Sequence, residues 1–209
     1  MTTTTPTRTA SGALGVTVAT IAAGYAVAAI AGNAGARRLL PWVLGRGLGV
    51  AGYLALVAMT ATGLWLARAP ERRGRFSGPT LIWTHVWLAA LTAVLVTGHV
   101  VALALDSAVD IGWSGSLLPG QSGYRPLAVG LGTAGLYLGV LAAAAIALAG
   151  RLRRLPWLPL HRLGSIGFLA VWLHGMLAGS DTATLRPLYI ATGALLAGLW
   201  VSARLQAKR

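Results

Sequence analysis

The chain has 209 residues, 56% of them hydrophobic and 10% charged, with a mean hydropathy of +0.71. A soluble domain carries roughly a quarter charged residues, so this composition excludes that class and fits a polytopic α-helical membrane protein. The net charge of +13 collects at the ends of apolar runs without the basic–aromatic patch of a nucleic-acid binder, and the absence of cysteine removes disulfides, thiolate metal sites, iron–sulfur ligation and cysteine nucleophiles.

In chain order, residues 1–10 form a polar, disordered tail. Six apolar segments follow, at 11–32, 47–67, 81–105, 127–150, 157–178 and 186–203, with lengths suited to a hydrocarbon core of about 30 Å. The first also fits a secretory signal peptide, since Arg8 precedes it and small residues end it. Its apolar stretch exceeds the usual signal core, which favours a retained span. Residues 106–125 form the longest loop, punctuated by Gly112, Gly115, Gly120 and Gly123. Residues 204–209 are a short basic tail.

Basic residues set the orientation. Arg68, Arg72, Arg73 and Arg75 lie between segments two and three, Arg151, Arg153, Arg154 and Arg162 flank the start of segment five, and Arg204, Lys208 and Arg209 close the chain. The positive-inside rule makes these regions, and the C-terminus, cytoplasmic. Asp106, Asp110 and Asp181 then lie outside, while Arg37, Arg38 and Arg46 in the first outer loop break the pattern. Arginine dominance over the single Lys208, with abundant Ala, Gly and Leu, points to a high-GC bacterial genome and hence to the bacterial cytoplasmic membrane.

Two stretches, GLGVAG (47–52) and GLGTAG (130–135), match the G-x-G-x-x-G pattern. That pattern binds dinucleotides only inside a βαβ unit. Here both lie in or at the ends of apolar spans, where small residues that let helices pack closely explain them better.

The chemistry is in the histidines. All four, His85, His99, His161 and His174, fall in segments three and five, as H-x13-H and H-x12-H. At 1.5 Å per residue these separations are about 21 and 20 Å, most of the bilayer core. One complete hairpin separates the two segments, so they run parallel, with His85 level with His161 near the cytoplasm and His99 level with His174 near the outer face. Zinc asks for three or four protein ligands, and proton relays usually involve carboxylates, which the span interiors lack. A haem brings four equatorial nitrogens and needs two axial ligands. The reading is an all-α bundle of six spans holding two b haems between spans three and five. Its rival is four packed, hydrogen-bonded membrane histidines. One difficulty stands: fourteen residues return a helix to within about 40° of the same face, whereas thirteen leave His161 and His174 about 140° apart. Pro156, Pro159, Gly164 and Gly167 surround His161, so an irregular start or a bend is expected there.

With those spacings, and with GRGLGVAGYLALVAMTATGLWLA (45–67), HVVALALD (99–106), YRPLAVGLGTAGLYLGVLAAA (124–144) and LHRLGSIGFLAVWLHGMLAGSDT (160–182), the chain resembles the ferric reductase-like transmembrane domain family over residues 44–203. The resemblance implies that His85 and His161 ligate an inner haem and His99 and His174 an outer one. It also implies that the spans pass electrons from the cytoplasmic side to an outer acceptor, which is ferric iron, oxygen or a partner protein. Family members with their own flavin and nicotinamide domain carry it after the last span. Here the chain stops at Arg209, so the expected donor is a separate flavoprotein or a membrane quinol, as in a stand-alone bacterial haem subunit of similar size. Many relatives place Arg after the first histidine, where this chain has Val86.

Secondary candidates follow. Arg162 and Arg125 are read as partners of the inner and outer haem propionates, or as an anchor and a rim residue. Ser180 and Asp181 terminate segment five. Gly98 and Gly175 let a porphyrin approach the backbone, or serve helix packing. Trp87 and Trp172 pack on haem faces, or belong to the interfacial belt and core. Against the cytochrome stand a non-redox membrane protein, such as a transporter or assembly subunit, and a haem sensor.

Overall fold

A computed structural model describes residues 32–68, 78–107, 109, 111–151 and 156–207. The first apolar segment, apart from its last residue, the N-terminal tail, Arg72, Arg73, Arg75, Asp110, Arg153, Arg154, Lys208 and Arg209 lie outside the described residues. The described residues from Leu44 onward form one compact unit, and the described residues before Leu44 belong to another.

Among the described residues the regular structure is all helical: α1 (Ala34–Leu66), α2 (Gly78–Leu105), α3 (Gly112–Leu117), α4 (Pro126–Ala149), α5 (Trp157–Arg162), α6 (Gly164–Ala178) and α7 (Thr182–Ala207). Four are long and apolar enough to cross a membrane, over Leu39–Leu66, Gly78–Leu105, Pro126–Ala149 and Thr182–Leu205. The protein is a membrane protein. Its spans satisfy their own backbone groups, as hydrocarbon demands. Their hydroxyls follow suit: Thr84 donates to Thr80 O (2.9 Å), Thr92 to Leu88 O (2.7 Å) and Thr192 to Leu188 O (2.8 Å). Large apolar side chains such as Trp87 (71% exposed) and Leu127 (86%) stand open on the surface, where a bilayer is their natural solvent.

The irregularity expected beside His161 is present, and two other expectations are corrected. Segment five is two helices, α5 and α6, separated at Leu163. Leu163 N–H donates to Leu160 O (3.1 Å) and Ile166 N–H to Leu163 O (2.9 Å), spacings of three residues that mark a tightened turn. Three-per-turn geometry advances about 120° per residue instead of about 100°. The break therefore rotates His161 and His174 toward a common face, the direction their thirteen-residue spacing requires. First, Arg46 is not in a loop, because α1 begins at Ala34. Second, the long loop of residues 106–125 contains α3, which packs on α4 through Thr133 Oγ1 to Ser116 O (3.3 Å) and Tyr137 OH to Leu117 O.

Packing brings α4 against α5 and α6, and α6 against α7. Close approach of α4 and α6 depends on paired glycines. A Cβ on Gly135 would lie 2.5 Å from Val171 Cγ2, and one on Gly167 would lie 3.2 Å from Gly135 O. The core of the unit is Tyr53, Val57, Phe168, Tyr189 and Leu196, joining α1, α6 and α7. Tyr53 meets the Tyr189 ring edge-on at 4.9 Å, and its hydroxyl bonds Thr192 Oγ1 at 2.5 Å.

Candidate functional site

The four histidine rings approach in two pairs. His85 and His161 have ring centroids 6.0 Å apart with planes at 78°; His99 and His174 are 6.5 Å apart with planes at 75°. Each ring is tied on its Nδ1 side to a backbone carbonyl of a neighbouring helix. His85 Nδ1 lies 3.0 Å from Met59 O, His99 Nδ1 2.6 Å from Gly45 O, His161 Nδ1 3.1 Å from Ala142 O and His174 Nδ1 2.8 Å from Ala128 O. A carbonyl oxygen can only accept, so Nδ1 carries the proton in all four. At His85 the Thr62 hydroxyl, whose own proton goes to Met59 O (2.8 Å), also lies 3.1 Å from Nδ1.

That choice of tautomer leaves Nε2 of every ring as the lone-pair nitrogen. Metal-ligating histidines show the same arrangement, with the non-ligating N–H donated to a carbonyl that fixes the ring and raises its basicity.

Helix geometry explains how a backbone carbonyl, already bonded within its helix, stays reachable. The side chain at i+4 leans back over the carbonyl of residue i. At three of the four seats residue i+4 is glycine. A Cβ on Gly49 would come 2.9 Å from His99 Nδ1, one on Gly63 3.1 Å from His85 Cε1, and one on Gly132 2.8 Å from His174 Nδ1. The fourth seat, Ala142 facing His161, has Ile146 at that position. The seats form an internal repeat. Gly45, Gly49 and Met59 of α1 correspond to Ala128, Gly132 and Ala142 of α4, each pair 83 positions apart. Within each helix the two accepting carbonyls are fourteen positions apart, matching the fourteen between His85 and His99.

These seats are what the sequence reading missed. Their signal was present: the two G-x-G-x-x-G stretches sit at this same offset of 83, and the central glycine of each, Gly49 or Gly132, makes room for a histidine ring. Gly52 and Gly135 of the same motifs serve helix contacts with Val96 and Val171.

The paired imidazoles fit a metal held from two sides. Two collinear metal–nitrogen bonds of about 2.0 Å place imidazole centroids roughly 6.3 Å apart, close to both observed separations. Among the described residues no group of three or more His, Asp or Glu converges as a metal cage. Each level offers two imidazoles, the number a haem requires of the protein.

Among the other candidates, the glycines and tryptophans take the packing, belt and core alternatives. Gly98 packs on Leu48 (3.0 Å from a Cβ) and Gly175 on the Tyr189 ring (2.7 Å), so both serve helix packing. Trp87 faces outward, and Trp172 donates Nε1–H to Tyr189 O (2.9 Å) in the core. Arg162, the last residue of α5, is exposed. Arg125 donates Nη1–H to Leu177 O at 2.6 Å. Asp181 begins the turn into α7 and forms a two-pronged ion pair with Arg46, whose Nε lies 2.6 Å from Oδ2. The Arg46 hydrogen bond holds the Asp181 carboxyl below its ordinary pKa, and the guanidinium charge adds to the effect.

No known protein family matches the chain, and no match was found among curated proteins or solved structures.

Proposed function

We propose that the chain is a membrane-embedded b-type cytochrome of the ferric reductase-like class, an electron-transfer subunit built as a six-span bundle with its C-terminus in the cytoplasm of a bacterium. One observation carries the proposal: four imidazoles, paired at 6.0 and 6.5 Å, each give Nδ1–H to a backbone carbonyl and keep Nε2 for a ligand. Packed histidines with a purely structural role have no reason to repeat one tautomer and one partner type across two hairpins, with a glycine-cleared seat at three of the four rings.

On this reading His85 and His161 hold an inner haem b, and His99 and His174 an outer one. Bound haem supplies a one-electron ferric/ferrous couple. The protein's part is to present two neutral imidazoles at each level, to orient them through Met59, Ala142, Gly45 and Ala128, and to keep water away with apolar helices. The donor is a cytoplasmic flavoprotein or a quinol, and the acceptor, whether protein, ferric iron or oxygen, lies outside.

The test is a pyridine haemochrome assay with a reduced-minus-oxidised spectrum on protein expressed with adequate haem. Two haems b per chain are expected. One haem would leave a level without its ligand, and none would return the four histidines to a structural role in a non-redox membrane protein.

A further inference from the structure

We propose that Tyr124 and Arg125 are positioning residues for His174, clamping the end of the helix that carries it. The inference rests on the cytochrome reading and concerns how its outer level is held. The last carbonyls of a helix have no partner within it, and His174 lies one turn before the end of α6. There Thr182 Oγ1 shares its proton between Gly179 O (2.7 Å) and Gly175 O (3.0 Å), Arg125 Nη1 donates to Leu177 O (2.6 Å), and Tyr124 OH donates to Ala178 O (3.1 Å). Two adjacent side chains from the segment before α4 thus hold two successive carbonyls at the end of α6. A few residues on, the first turns of α4 supply Ala128 O, which accepts from His174, and Gly132, which clears space for the ring. Residues 124–132 therefore govern both the ring of His174 and the end of its helix.

The backbone of Arg125 adds an independent observation. Its φ of 41° and ψ of 63° are left-handed, and among the described residues it is the only non-glycine with positive φ. Glycine adopts that conformation freely. An arginine kept there points to a use for its side chain, and the guanidinium, 5.3 Å from the Tyr124 ring centroid, is directed at α6.

The test compares Arg125→Gly, Arg125→Lys and Tyr124→Phe in the full-length, haem-loaded protein. The readouts are the two ferric low-spin EPR signals, the two midpoint potentials and the melting temperature. The outer signal is assigned by its loss in His99→Ala. Low-spin signals respond to the angle between the axial imidazole planes, 75° at this level. Arg125→Gly is expected to shift or broaden the outer signal, to leave the inner one unchanged, and to keep the melting temperature because its backbone is relaxed. Arg125→Lys restores the outer signal in part, and Tyr124→Phe shifts it less. If Arg125→Gly fails to fold, the Tyr124→Phe and Arg125→Lys signals decide by the same criterion. Outer signals unchanged from the parent protein would overturn the positioning role while leaving the cytochrome reading intact. A shifted outer potential with an unchanged signal would overturn it too, in favour of a propionate contact. Absence of any low-spin signal in the parent protein would sink both.

Discussion

Replacing Gly132 by alanine adds one methyl group where a histidine ring already sits. The new Cβ would lie 2.8 Å from His174 Nδ1 and 3.0 Å from Cε1 and Cγ, so the ring must move and its bond to Ala128 O is strained or lost. A buried donor left without its acceptor costs about 1–3 kcal/mol, while alanine in place of glycine favours the helix by about 1 kcal/mol. Gly139→Ala, in the same helix with no atom within 4 Å of its added Cβ, receives the propensity gain alone. The two variants should therefore differ by about 1–3 kcal/mol in stability. Disturbing a ligand's outer partner typically costs 10–100-fold in metal affinity, about 1.4–2.8 kcal/mol. The assay is haem content by pyridine haemochrome together with thermal melting in detergent. Gly132→Ala should lose outer haem and Gly139→Ala should retain both. Equal haem content and equal melting temperatures in the two variants would refute the argument that the glycine clears the histidine's seat.

Three further outcomes follow from the same structure. His85→Ala should match His161→Ala in its spectrum, and His99→Ala should match His174→Ala, with double variants inside one level adding little; a match between His85→Ala and His174→Ala would contradict the pairing. The Asp181 carboxyl titrates below its ordinary value because Arg46 binds its charged form, so the tie to α1 is complete above the ordinary carboxylate range and is lost as pH falls through the depressed value. The melting advantage of the parent protein over Asp181→Asn should accordingly disappear on acidification, and an advantage that persisted at low pH would assign it to something other than the ion pair. A C-terminal reporter should be active in the cytoplasm, as the basic clusters dictate; activity only on the outer side would reverse the orientation.

The membrane class was legible in the sequence because hydrocarbon imposes long apolar runs that few other environments produce. The four histidines were legible for a related reason: an imidazole in an apolar span is conspicuous, and matched spacings near the bilayer thickness suggest two levels. The irregularity beside His161 could be expected from helix arithmetic, although its position at Leu163 could not. That position depends on which backbone hydrogen bonds survive the packing of α5 and α6 against α4.

Tertiary structure alone decided what holds the rings. The accepting groups are backbone carbonyls of Gly45, Met59, Ala128 and Ala142, and every residue has a carbonyl, so side-chain identity does not mark them. Only the glycines at 49, 63 and 132 leave a trace, and glycine in a membrane helix reads equally as a packing residue until the neighbouring helix is in place. Arg125 shows the same limit. Its sequence position just before a span is compatible with a haem propionate or a helix end, and the bond to Leu177 O forms only when α6 is brought beside the start of α4. Periodicity and length are local and survive in one dimension; which carbonyl a side chain reaches is a property of two helices together.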